Sequence, residues 1–178
     1  MKRACKSSFL RNRGVTLPEC LIVVAIIALL SIIAAPSLAS WQHQQRVVTR
    51  MHAIAQVLRT GAQHAETSGK KVYLSVIGGS QWCLRLSFSA QCACLADPTC
   101  PFDGVPVLLQ TDSAADVWVW PATQRSPLVV FAPHSGITPG FATSLKVQHG
   151  QYEGKVIYSA LGRVRMCLTE PFRGLPAC

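Results

Sequence analysis

The sequence predicts an α+β protein in which one long N-terminal helix is followed by an antiparallel β-sheet head. Three observations carry this expectation. Residues 15–35, VTLPECLIVVAIIALLSIIAA, form a 21-residue apolar run with one charge, Glu19. Beyond it, Val47, Met51, Ile54, Leu58, Ala62 and Ala65 recur at spacings of four and three, the stripe of an amphipathic helix. From Val72 onward the pattern changes to short β-rich runs separated by Gly, Pro, Ser or Asp.

The bulk numbers fit one domain with an appendage. The chain has 178 residues, 49% hydrophobic and only 14% charged, which is too apolar for disorder. Its formal net charge of +9 is unevenly placed. Lys2, Arg3, Lys6, Arg11 and Arg13 crowd the first 14 residues with no acid among them, leaving 12 basic against 8 acidic residues in the rest. The remainder is mildly basic, which excludes a uniformly charged nucleic-acid coat and allows a local patch.

The apolar run is long enough to span a bilayer as a helix, and the basic stretch before it predicts an N-terminus that starts in the cytoplasm. A secretory signal has a shorter apolar region and ends in a small-residue cleavage site. Glu19 near the start of the run is costly to bury and therefore functional by expectation, with a cation as its partner. Pro18 falls in the first helical turn, where no internal hydrogen bond is lost.

RGVTLPECLIVVAIIALLSIIAAPS resembles the class III signal of type IV pilins and pseudopilins. The resemblance implies a leader of residues 1–14, cut by a prepilin peptidase between Gly14 and Val15, with methylation of the new N-terminus. It implies that Glu19 meets the N-terminal amine of a neighbouring subunit during assembly. Pro36 matches the proline that loosens the helix in many pilins. The chain departs from the pattern at Val15, Pro18 and Cys20. The expected organisation is then a transmembrane and assembly helix over 15–36, its amphipathic continuation over 37–66, and a β-rich head over 67–178, together a type IV pilin-like fold. The partners implied are the inner membrane before assembly, the peptidase, and other major and minor pilins in an extracellular pilus.

The amphipathic helix carries Arg46, Arg50, Gln56, Arg59 and Gln63 opposite its stripe, read as a solvated face, and Gly69 is its expected C-cap. His43, His52 and His64 lack the spacing of a ligand set, and no metal or cofactor is expected. The strands expected in the head are VYLSVI, WCLRLSF, VPVLL, VWVW, PLVVFA, FATSLKV, KVIYSA and RVRMCL. About 110 residues suffice for one core.

Of the eight cysteines, Cys5 would leave with the leader and Cys20 lies in the apolar run. Cys83, Cys92, Cys94, Cys100, Cys167 and Cys178 remain, an even number in an exported head, which reads as disulfides. Fifteen connectivities are open; a Cys167–Cys178 bridge would tie down the last segment and leave the other four to pair within 83–100. Zinc is the rival reading, but the cluster lacks paired C-x2-C knuckles.

Residues 129–167, VVFAPHSGITPGFATSLKVQHGQYEGKVIYSALGRVRMC, are similar to the C-terminal half of the FimT/GspH family, as is LRTGAQHAETSGKKVYLSV at the helix end. The resemblance covers roughly the first 80 and the last 50 residues; the cysteine-rich middle, 83–126, departs from it. FimT-type minor pilins that bind DNA carry a Gly-Arg-x-Arg motif, matched here by Gly162, Arg163, Val164 and Arg165. The resemblance implies DNA capture for natural transformation; a GspH-type pseudopilin of type II secretion, or a priming pilin that does not bind DNA, is the alternative.

The residues themselves agree. In an extended chain Arg163 and Arg165 would point to one side, roughly 6.6 Å apart, with Val164 facing the core. The planar guanidinium gives paired hydrogen bonds to phosphate oxygens, and Gly162 would let the backbone approach closely. Lys146, Lys155, Arg173 and Arg125 could extend the patch. Two arginines that only protect a strand edge are the plainer explanation. An enzyme is not expected, because no nucleophile motif, phosphate loop or carboxylate dyad is present; Asp112 and Asp116 look like turn residues, and His134 falls in a predicted turn.

Overall fold

A computed structural model describes residues 16–92, 94, 108–111, 117–135, 140, 142–172 and 174–178. Gly14, Val15, Cys100, Asp112, Asp116 and Arg173 lie outside the described residues.

Helix α1 runs Leu17–Ser68. Thr16 stands at its N-terminus, where its carbonyl accepts from the Cys20 N–H at 3.2 Å. The Thr16 N–H points back at Glu19 Oε2, 3.5 Å away, which is the Glu arm of a capping box. The helix ends where Gly69 takes φ +64°, the left-handed C-cap conformation expected from the sequence. The Ser68 hydroxyl returns to the His64 carbonyl at 2.6 Å and satisfies one of the last free acceptors.

Two compact units divide the chain, Met1–Ser40 and Trp41–Cys178. In the first, Leu17, Leu21, Val24, Ile27, Leu30 and Ile32 are all more than half exposed, so the helix is apolar around its circumference. Such a surface calls for lipid or other helices as its cover. Ser31 meets this demand by donating its hydroxyl to the Ile27 carbonyl at 2.7 Å. No single unbroken segment of the described helix is long and apolar enough to cross a membrane; Leu17–Ile32 and Ser37–Ser68 reach that length and apolarity only as a pair, by length and composition alone.

Among the described residues the second unit joins the rest of α1 to eight strands: β1 Val72–Ile77, β2 Cys83–Ser87, β3 Leu108–Gln110, β4 Trp118–Pro121, β5 Val129–Phe131, β6 Thr143–His149, β7 Tyr152–Tyr158 and β8 Val164–Leu168. They form two four-stranded sheets, β3-β2-β1-β5 and β4-β6-β7-β8, whose strand pairs are all antiparallel. A bridge between Gly79 and Val119 links them, with Gly79 N–H donating to the Val119 carbonyl at 2.8 Å.

The stripe expected on α1 is the stripe that is buried. Val47, Met51, Ile54, Leu58 and Ala65 are all fully buried in the core. Val48, Ala55 and Val57 join them, so the buried face is wider than the expected stripe. Two glycines permit the close fit. A Cβ at Gly154 on β7 would collide with Met51 Sδ and lie 2.8 Å from Leu168 Cδ2. A Cβ at Gly61 on the helix would come within 2.6 Å of Phe131 Cε2. Arg50 departs from the expected solvated face: it is half-buried, its guanidinium 6.0 Å above the ring of the fully buried Trp82. That indole donates Nε1–H to the Val117 carbonyl at 2.8 Å, which satisfies its polar end. Arg46 and Arg59 are exposed as expected.

Candidate nucleic-acid interface

β7 and β8 are joined by a tight turn over Ser159–Gly162. The Gly162 N–H donates to the Ser159 carbonyl at 3.0 Å, and Gly162 takes φ +79°. The glycine is needed for this backbone as well as for the absence of a side chain, since other residues are strained there. Ser159 then holds Arg163 on both sides: its N–H donates to the Arg163 carbonyl and its Oγ accepts from the Arg163 N–H, each at 3.0 Å.

This clamp continues the β7–β8 register, in which Tyr158 faces Val164 and Ile157 faces Arg165. Arg163 and Arg165 are both exposed, while Val164 is half-buried and packed against the core. The two arginines therefore emerge on one side, as the alternation predicts. Two residues further on, Cys167 is bonded to Cys178. The last residues return alongside β8 through a parallel bridge from Leu168 to Ala177, and the Cys178 N–H donates to the Leu168 carbonyl at 2.9 Å. The strand that carries Arg165 is thus pinned at both ends.

The sheet register places other residues beside them. Trp120 faces Lys146, Lys146 faces Lys155, and Lys155 faces Cys167, in one row across all four strands. Directly paired residues share a face, so Lys146, Lys155 and Arg165 lie on the outer surface of this sheet. Lys155 is exposed. Lys146 is engaged with Glu153, Nζ to Oε2 2.7 Å, and is the less available of the two. Arg125 is exposed in the loop after β4, the strand at the opposite edge from β8, and the pairing does not bring it beside Arg163.

Reading the sequence for charge alone misses the aromatic part of this surface. Trp118 is 45% exposed and Trp120 is half-buried, with Val119 between them in the core. Their rings are 5.3 Å apart. The signal was the alternation in VWVW, which sets both indoles on the outer side. Of the six cysteines of the head, Cys83 is bonded to Cys94, and Cys92 is also disulfide-bonded. Among the described residues no cluster of His, Cys, Asp and Glu could hold a metal ion.

Residues 10–35 match the prokaryotic N-terminal methylation motif. The fold is similar to that of the type IV minor pilin FimU of Pseudomonas aeruginosa PAO1, with a TM-score of 0.51 at 13% identity over 74% of this chain and 92% of that one. The fold is type IV pilin-like, and the methylation motif stands at its N-terminal end. A search of curated proteins finds no match to the chain. Glu19 and Pro36 both lie in α1; Glu19 falls within the segment matched by the methylation motif, and Pro36 directly follows it.

Proposed function

We propose that this pilin-like chain is a FimT-type minor pilin that binds DNA through Gly162, Arg163 and Arg165 and serves DNA uptake in natural transformation. The observation that carries the reading is the joint exposure of Arg163 and Arg165 on one side of a strand whose Val164 is turned into the core. Lys155, and to a lesser degree Lys146, add positive charge to the same face. Contacts of this kind address phosphates, so binding is tolerant of sequence and sensitive to salt. Few contacts per subunit make a modest grip, which several copies in a fibre strengthen by avidity.

The rest of the chain serves presentation. Cleavage after Gly14 frees Val15, the Glu19 carboxylate pairs with an N-terminal amine during assembly, and the subunit passes from the inner membrane into a pilus with its head outside. The role is one of binding and assembly, without catalysis.

A band-shift titration of the full chain in detergent tests this. Arg163→Ala/Arg165→Ala should weaken binding to any sequence and reduce the slope of log affinity against log salt by about two. If the double variant binds like the wild type, the assignment to this motif is wrong. If the wild type binds no DNA, the GspH-type or priming role takes its place.

A further inference from the structure

The outer face of the β4-β6-β7-β8 sheet combines two features, exposed indoles and aligned cations. At one corner stand the indoles of Trp118 and Trp120, 5.3 Å apart at 33°. At the opposite edge stand Arg163 and Arg165. Between them the register sets Lys146 and Lys155 in the row of Trp120, and Ile157 in the row of Arg165. Three strand spacings separate β4 from β8, about 14 Å. Glu153, an acid on this face, is held by Lys146.

We infer that this face is a track for single-stranded nucleic acid, in which Trp118 and Trp120 stack on bases while Lys155, Arg163 and Arg165 hold the phosphates. The inference rests on the DNA-binding reading above and adds to it the form of DNA and a second set of contacts. Exposed aromatics beside a cationic groove are what sequence-tolerant single-strand binders use, because every base offers a π-face. A duplex keeps its bases stacked on one another, so the indoles gain nothing from it while the phosphate contacts remain. A protein partner would need an apolar knob and carboxylates placed at the spacing of these cations to use both, whereas any single strand offers aromatic faces and regularly spaced phosphates.

Of the four tryptophans, Trp118 and Trp120 lie on this face, while Trp41 is on α1 and Trp82 is buried, so the share of a quench that is lost with Trp118 and Trp120 reports on the face. The test titrates the full chain in detergent with a thymidine oligonucleotide and with a duplex of the same length. Trp118→Ala/Trp120→Ala should lose about tenfold or more in affinity for the single strand and less than about twofold for the duplex. Trp118→Phe/Trp120→Phe should keep single-strand affinity and lose the fluorescence quench that the oligonucleotide produces in the wild type. This second variant keeps the test decisive if the alanine variant folds poorly. Unchanged single-strand binding by the alanine variant, equal weakening on both DNAs, or a quench that persists in the phenylalanine variant each overturns the track. So does loss of self-association, rather than of DNA binding, in the alanine variant. Arg163→Ala/Arg165→Ala, measured alongside, separates failure of this idea from failure of DNA binding as such: if only the arginines matter, the motif stands and the track falls.

Discussion

Tyr158 closes β7 on the core side, 1% exposed, with its ring edge-on to Phe131 at 5.6 Å. Burial, aided by the charge of Glu66, pushes its phenol up to about 12 from 10.0. The native state therefore holds this proton more tightly than the unfolded chain does, and unfolding releases it between those two values. Stability conferred by the neutral phenol is complete below pH 10 and lost as pH rises toward 12. Tyr158→Phe should flatten the alkaline limb of the stability profile by on the order of 2 kcal/mol, checked by urea unfolding at pH 9 to 12. An equally steep limb in the variant would assign the effect to other groups. Single residues differ in how well the sequence announces them. Arg163 and Arg165 were legible because alternation alone decides their side once Val164 is apolar. Arg50 was not, because its half-burial depends on Trp82, a residue 32 positions away that helix periodicity cannot reveal.

At the scale of elements, helix-on-sheet approach depends on missing side chains. At Gly154 the obstacle is Met51, and at Gly61 it is the ring of Phe131, itself held by Tyr158. Gly150 is different: it occupies the β6–β7 hairpin at φ +60°, with nothing within 4 Å of where a Cβ would stand. Alanine at Gly61 or Gly154 should cost about 1–3 kcal/mol through overpacking. At Gly150 alanine should cost about 1–2 kcal/mol through backbone strain alone. A mutation to asparagine separates the causes in thermal melts, since it tolerates the left-handed region at Gly150 but is still too large at Gly154. Equal losses for asparagine at both sites would refute the distinction. All eight strands were expected from their composition, yet their division into two sheets was not. Strand propensity is local, whereas sheet membership is set by pairing between segments distant in sequence, as of β1 with β5 and of β4 with β6.

For the molecule as a whole, the disulfide at the C-terminus couples fold stability to the candidate site. Cys167 follows Arg165 by two residues, and its bond to Cys178 spans a sequence separation of 11. That bond and the Leu168–Ala177 bridge hold the last segment against β8, the edge strand on which Arg165 is carried. Loop logic pointed to this pair from sequence; it could not reveal that the returning segment would lie parallel to β8, because that depends on backbone pairing beyond the strand. Cys167→Ser/Cys178→Ser should lower stability by about 2–4 kcal/mol in thermal unfolding. Its effect on DNA should differ in kind from that of the arginine variants. The cations remain, so the slope of affinity against salt should stay at the wild-type value, while affinity falls severalfold because an untethered edge must be ordered on binding. A salt slope reduced by about two in the cysteine variant would mean that the bridge positions the arginines outright, whereas unchanged affinity would show that the turn clamp by Ser159 holds them without it.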